Sequence, residues 1–424
     1  MTRRAPSTLR ALVASLLSVL ALALALGASA AAPAPAVAAP PRLSADAAIL
    51  VQPDTEDVAF RSHSTQRLPI ASTTKLMTAL LTLERADLDD TVTAVNYRAS
   101  PLESLMGLHA GDRVTIRDLM EGLLLASGND AATTLAVRVG GSERRFVAMM
   151  NQRARELGLS DTHYANPVGL DDPENYSSAQ DLAKLALVLL QNRFFARTVD
   201  RRSAEVDMGG RERTIINRNT LVRTVGWMDG VKTGHTSIAG YILVGAAKRH
   251  GVRLVSAVLG TPSEAARDAD TLALMKWGLR RYQRTAVLKR GRQVATTKLD
   301  FRDETVRVVA GRSLQAVVRR GQKADIRVSG VPGELSGAHR KGERVGTITV
   351  TYRGRTLGKV PAVLAQDVAA AGITDKVSSA LPPLWLVGVV AVGVIGSLLL
   401  ALQHRRRVRR RRARSRRRGG TETA

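Results

Sequence analysis

Two residues able to do chemistry together lie three places apart: Ser72 and Lys75, in Ala71-Ser72-Thr73-Thr74-Lys75-Leu76-Met77-Thr78-Ala79-Leu80-Leu81. On a helix, residues i and i+3 share a face, so the hydroxyl and the amine can meet. A serine beside an amine that gives up its proton is an activated nucleophile. Taken alone, the pair reads first as a helix-capping serine followed by a solvated lysine. Two further polar clusters follow in order, Ser127-Gly128-Asn129 and Lys232-Thr233-Gly234. Each is an ordinary turn or strand end by itself. Their ordered recurrence at element boundaries points to one site drawing a hydroxyl and a second amine from distant parts of the chain.

The elements around these residues are legible. Pro69 precedes a helix whose apolar residues Leu76, Met77, Leu80 and Leu81 recur with helical spacing. Ala47–Val51 and Val58–Arg61 read as a strand pair. Thr115-x-x-Asp118 reads as a capping box opening a helix over 116–126. Ser127-Gly128-Asn129 interrupts it, and a further helix starts near Asp130. Ser142 and the Ser178-x-x-Asp181 pattern cap two more, so the middle third is expected to be mostly helical. Tyr241–Ala247 and Val252–Leu259 suggest a hairpin, and Asp268–Leu279 a closing helix. Strands, then helices, then strands predict an α+β fold with an antiparallel sheet packed by helices. From Ala286 to Asp367 short apolar runs alternate with Gly, Pro and charged turns, the texture of a small all-β domain without a catalytic pairing of its own.

The formal charge of the 424-residue chain is +26, yet half of the excess sits at the two ends. Residues 403–424 hold eleven arginines and one glutamate, and residues 1–30 hold three arginines and no acid. With aromatics at 3% there is little to stack on bases, so the charge does not point to nucleic acid. Residues 1–30 have the basic flank, apolar stretch and small-residue cleavage site, Ala28-Ser29-Ala30, of a secretory signal; Ala36-Val37-Ala38 is a second such site, and an uncleaved anchor is the alternative. Leu384–Leu402 is nineteen residues without a charge, nearly enough at ~1.5 Å per residue to cross a ~30 Å hydrocarbon core. The arginines directly after it place that end in the cytoplasm and the body outside. The absence of cysteine and of any His-Glu-x-x-His or histidine–acid cluster argues against thiol and zinc chemistry, so no metal or cofactor is expected.

With its three motifs, and with Asn166-Pro167-Val168-Gly169-Leu170-Asp171-Asp172 and Asp229-Gly230-Val231-Lys232-Thr233-Gly234-His235-Thr236, the chain resembles the low-molecular-mass penicillin-binding proteins of the serine-type D-alanyl-D-alanine carboxypeptidase family, peptidase family S11. The likeness covers residues 45–285 and extends more weakly to about 367. It implies a β-lactamase/transpeptidase-like fold. The expected organisation is a signal peptide at 1–30, a linker at 31–44, a catalytic domain at 45–285, an all-β domain at 286–367, a linker at 368–383, a transmembrane helix at 384–402 and an arginine-rich tail at 403–424. The family often ends in an amphipathic helix lying on the membrane; a full apolar span stands here.

By that resemblance, Ser72 is the nucleophile that forms an acyl-enzyme with the penultimate D-alanine, and Lys75 its general base, kept neutral by burial and by the charge of Lys232. Ser127 relays a proton to the departing amine, and Asn129 holds a substrate amide. The N–H groups of Ser72 and His235 form the oxyanion hole; the His235 ring itself serves packing. Lys232, Thr233, Gly234, His235 and Thr236 begin a strand to which the stem peptide adds, with the two threonine hydroxyls offered to its terminal carboxylate. Arg267 is a further carboxylate ligand or, alternatively, a salt-bridge partner of Asp268 or Glu264. The expected partners are a peptidoglycan stem peptide ending in D-Ala-D-Ala, β-lactam inhibitors released slowly, and the membrane. Two other functions fit the same motifs: a DD-endopeptidase acting on cross-links, and a low-turnover peptidoglycan-binding or penicillin-sensing protein.

Overall fold

The computed structural model describes residues 39–380 and 384–418. The expected signal peptide and most of the following linker lie outside these residues, as does the end of the tail.

A five-stranded antiparallel sheet organises the first half of the chain. Its order is Asp57–Ser62, Ala47–Gln52, Val252–Thr261, Gly240–Arg249, Met228–Thr236. Alternate residues of Ala47–Gln52 point to opposite faces, and both faces are covered. Ile49 and Val51 join the core under the helices, whereas Ala48 and Leu50 pack with Leu274 and Trp277 of the closing helix. The expected hairpin is present: Tyr241–Ala247 and Val252–Leu259 fall within adjacent paired strands. His250 and Gly251 turn it, both at positive φ. The closing helix runs over Glu264–Arg281, longer at both ends than expected, because Ser263 caps it by accepting from the Ala266 N–H.

The helices fill the other face. Thr115, Ser142 and Ser178 each accept a backbone N–H at the start of a helix. Two features depart from expectation. The helix from Ile116 does not stay α-helical to 126; its last turn, Gly122–Ala126, is a wider π turn that ends on Ser127. The middle third also contains a β-hairpin, Ser203–Asp207 with Glu212–Ile216. Its strands are only five residues each; Ala204 and Val206 alternate with exposed polar residues in the first, and the second shows no such period.

From Tyr282 to about Val368 the chain is all-β. A six-stranded sheet in the order Asp325–Ser329, Arg344–Tyr352, Arg355–Leu364, Thr305–Ala310, Gln293–Leu299, Glu334–Leu335 encloses a separate apolar core around Val308, Ile348, Val350 and Ala362. Tyr282–Leu288 pairs with Leu314–Arg319, so the strand crosses the boundary expected at 285/286 and ties the two halves. Arg319 then reaches Asp57 of the first sheet at 2.7 and 2.9 Å, and the Tyr282 hydroxyl donates to the same carboxylate at 2.6 Å.

Part of the linker expected at 368–383 is helical, over Ile373–Ala380. The final helix, Leu384–Arg418, does not end at Leu402 but continues through the arginines. Arginine is a good helix former, and nothing breaks the run. Its stretch Trp385–Arg410 is long and apolar enough to cross a membrane, and no part of its apolar window is buried in the protein.

Candidate active site

The first turn of the helix that carries Ser72 is tight. Ala71–Thr74 form a 3-10 turn, and the α-helix begins at Lys75 and ends at Arg85. This places Ser72 Oγ 3.0 Å from Lys75 Nζ. Lys75 is fully buried beneath the surface that Ser72 reaches. Its Nζ lies 2.6 Å from Asn129 Oδ1 and 2.5 Å from the Val168 carbonyl. Nζ donates to Ser72 Oγ and to both carbonyl oxygens, three acceptors for three donors; once it has lost a proton it keeps two of these bonds, and its lone pair can take the serine proton. Electrostatics agree. Burial lowers the Lys75 pKa from 10.5 to about 7; Glu103 and Asp130 pull it back up, and Arg218 pushes it down. Lys232 and Lys75 repel each other, and Arg218 adds its charge to that push. Lys232 is itself held well below its ordinary value, by burial first and then by Lys75, Arg218 and Arg267.

The Val168 carbonyl is delivered by a local device. Asn166 Oδ1 accepts from the N–H groups of Val168, Gly169 and Leu170 at 3.2, 2.6 and 3.1 Å, curling the segment into a turn. Gly169 sits at φ +87°, and a Cβ there would fall 2.0 Å from the Ala71 carbonyl oxygen. Only glycine allows this loop to press on the Ser72 turn.

The π turn that widens Gly122–Ala126 hands the chain to Ser127 in the left-handed region, φ +62°. Serine rarely adopts that backbone, and such strain concentrates at functional sites. The Lys232 Nζ donates to Ser127 Oγ at 2.9 Å and to the Thr233 carbonyl at 3.0 Å. The second hydroxyl–amine pair therefore stands beside the first. Asn129 opens the next helix with its carbonyl oxygen toward Lys75 and its Nδ2 donating to Glu103 at 2.6 Å.

Lys232 to Thr236 lie on the sheet's edge strand, paired on one side only, with Gly240–Arg249. A Cβ on Gly234 would come within 3.1 Å of the Ile70 carbonyl oxygen, so the strand packs tightly on the Ser72 turn. Ser72, Ser127, Thr233, Gly234, His235 and Arg267 line one cavity of about 550 Å³. The exposed His235 ring stacks on Tyr241 with centroids 3.9 Å apart, in keeping with a packing role. Arg267 makes the expected salt bridges and also reaches the cavity. It is 3% exposed and lines the cavity, and it also pairs with Glu264 at 2.9 Å and Asp268 at 2.7 Å. Thr236 departs from expectation: its hydroxyl donates to Asp171 at 2.6 Å and accepts from the Ala239 N–H, so it is not free for a substrate carboxylate.

Comparisons with known proteins agree with this geometry. Residues 34–263 match the family model described as D-alanyl-D-alanine carboxypeptidase, Peptidase_S11. The chain belongs to the D-alanyl-D-alanine carboxypeptidase family. Residues 282–370 match the model of the penicillin-binding protein 5 C-terminal domain. The chain is 30% identical to the D-alanyl-D-alanine carboxypeptidase DacF of Bacillus subtilis over 77% of its own length and 87% of the relative's. It is 32% identical to DacD of Escherichia coli, over 80% and 90%. Among solved structures, penicillin-binding protein 6B of Escherichia coli superposes with a TM-score of 0.59 at 29% identity, covering 78% of this chain and 98% of that one. Penicillin-binding protein 5 of Haemophilus influenzae gives 0.57 at 26%, covering 78% and 99%.

In this family member several site residues escaped sequence reasoning. Arg218 lines the cavity from the loop after the unexpected hairpin. Glu103 and Asp130 set the field around Lys75. Asp130 also accepts four backbone N–H groups, from Met106, Gly107, Leu108 and Ala131, and so fixes the 103–108 segment. Only Asp130 had a sequence signal, its place directly after Ser-Gly-Asn.

Proposed function

We propose that this protein removes the terminal D-alanine from peptidoglycan stem pentapeptides through an acyl-enzyme on Ser72, and that penicillin acylates the same oxygen. One observation carries the reading: a serine hydroxyl lies 3.0 Å from a fully buried lysine whose pKa falls to about 7. A base poised near neutral pH is half-deprotonated where it must act.

The mechanism follows from the contacts. Lys75 takes the Ser72 proton as Oγ attacks the carbonyl of the penultimate D-alanine. The N–H groups of Ser72 and His235 stabilise the oxyanion. As the C–N bond breaks, the Ser127 hydroxyl passes a proton to the leaving amine and is resupplied with the one Lys75 took from Ser72, which leaves Lys75 neutral again. Water then attacks the ester, Lys75 takes its proton, and Ser72 leaves with one. Thr233 and Arg267 hold the terminal carboxylate, and Asn129 a stem-peptide amide. The Trp385–Arg410 helix anchors the protein, with the catalytic domain outside the membrane and the arginines in the cytoplasm. The all-β domain holds the site away from the bilayer.

Mass spectrometry after penicillin treatment should locate a stoichiometric adduct on Ser72, and the untreated protein should release D-alanine from a pentapeptide. An adduct without D-alanine release would instead mark a sensor. Loss of cross-linked dimers without pentapeptide trimming would mark an endopeptidase.

A further inference from the structure

Glu103 belongs to none of the three motifs, yet it touches the site from behind. Its Oε2 accepts from Asn129 Nδ2 at 2.6 Å and from the Tyr97 hydroxyl, and its Oε1 accepts from the Ser100 N–H at 2.9 Å. Asn129 in turn offers Oδ1 to Lys75 at 2.6 Å. A side-chain amide has one accepting end and one donating end of almost the same shape. An ionised carboxylate only accepts, so Glu103 admits only the orientation that turns Nδ2 toward itself and Oδ1 toward Lys75.

We propose that Glu103 is a positioning residue for the reaction, which fixes the Asn129 amide and supplies the negative charge against which Lys75 loses its proton. The proposal rests on Ser72 and Lys75 being nucleophile and base. Partial burial favours the neutral acid, but hydrogen bonds from Tyr97, the Ser100 backbone and Asn129 outweigh it and keep the carboxyl below its ordinary value. A carboxylate already holding three donors is a poor base. This separates Glu103 from a glutamate that activates water.

Other charges face the same amine and keep their effect when Glu103 is changed. Asp130 acts from the helix that Asn129 opens, Arg218 from the loop after Glu212–Ile216, and Lys232 from the edge strand. On the Glu103 side, Tyr97 also feels Glu143. The Asn129 backbone N–H donates to the Ser104 carbonyl at 2.8 Å, so the 103–104 segment and the amide move as one unit.

The test uses the full-length protein in detergent, following labelled-penicillin acylation and D-alanine release from about pH 5 to 9. In the wild type, activity rises as Lys75 deprotonates. Glu103→Gln removes the negative charge and lets the amide flip. Its acid limb should move down by about half to one pH unit, and its plateau should fall about 10-fold. Glu103→Ala must move the limb the same way, and Glu103→Asp should restore its position. A merely structural residue would lower the plateau of all three variants and leave the limb in place; that result overturns the proposal. So does normal acylation by E103Q with accumulation of a substrate acyl-enzyme, which would make Glu103 a deacylation base. A wild type that penicillin does not acylate at all sinks the Ser72 assignment and takes this proposal with it.

Discussion

The two halves of the molecule treat charge differently. In the catalytic half Lys75, Lys232, Arg267, Asp130 and Asp181 are all buried. In the all-β half, among the described residues from 286 onward, the buried side chains are apolar apart from Thr297. Burying a charge costs several kcal/mol unless partners compensate. The first half meets that cost by hydrogen-bonding nearly every charged group or by letting it neutralise. The second half never incurs it. One half is therefore a site built against the grain of stability, and the other a plain scaffold.

Four experiments sharpen or break that contrast. The largest effect is expected from Ser72→Ala, which should abolish the penicillin adduct and cut D-alanine release by at least about 10⁴-fold. Next comes Lys75. Lys75→Met should lower kcat/KM by about 10³-fold, and Lys75→Arg as much, because a guanidinium stays protonated. The Met variant should also melt at least about 3 °C higher, since function is here held at the expense of stability. The folded pKa of Lys75, about 7, lies below its ordinary 10.5, so folding expels a proton between those values. Stability contributed at this site should rise as pH climbs from 7 to 10.5, with the full penalty present below 7. Calorimetry of wild type and variant across that range should show their difference shrinking as pH rises.

Smaller effects are expected at the junction and in the scaffold. Arg319→Met leaves Asp57 buried with Tyr282 as its close donor and should cost about 2 kcal/mol, seen as a lower melting transition with kcat within about twofold of wild type. Val350→Ala, in the core of the second half, should cost about 1–2 kcal/mol there and leave penicillin acylation unchanged. A large loss of acylation in Val350→Ala would show that the β domain takes part in catalysis after all.

The sequence was most readable where function needs fixed residue types. Ser72, Lys75, Ser127 and Lys232 announce themselves by motif, and Thr115, Ser142 and Ser178 by their capping patterns. It was least readable where a role arises only on folding. Glu103 and Arg218 are ordinary surface-type residues until a neighbouring amide or loop brings them near Lys75. The Val168 carbonyl is backbone and carries no residue signature, although Asn166 and Gly169 mark the turn that aims it. The hairpin around Met208 was missed although Ala204, Val206 and Met208 alternate with polar residues, because the run is short and its partner Glu212–Ile216 carries no such period. Thr236 was misread because its partner, Asp171, sits on a loop far away in the chain.

The edge strand Met228–Thr236 has a further consequence. A sheet edge is an invitation to any extended chain, including other copies of the same protein, and natural sheets guard such rims to stay soluble. Here the Ser72 turn covers one face of the strand, with a Cβ on Gly234 coming within 3.1 Å of the Ile70 carbonyl oxygen, and the hydrogen-bonding rim itself stays unpaired. A rim left open to an extended peptide is open in the same way to a second copy of the chain, so the place that can take up a strand is also where these molecules are exposed to one another.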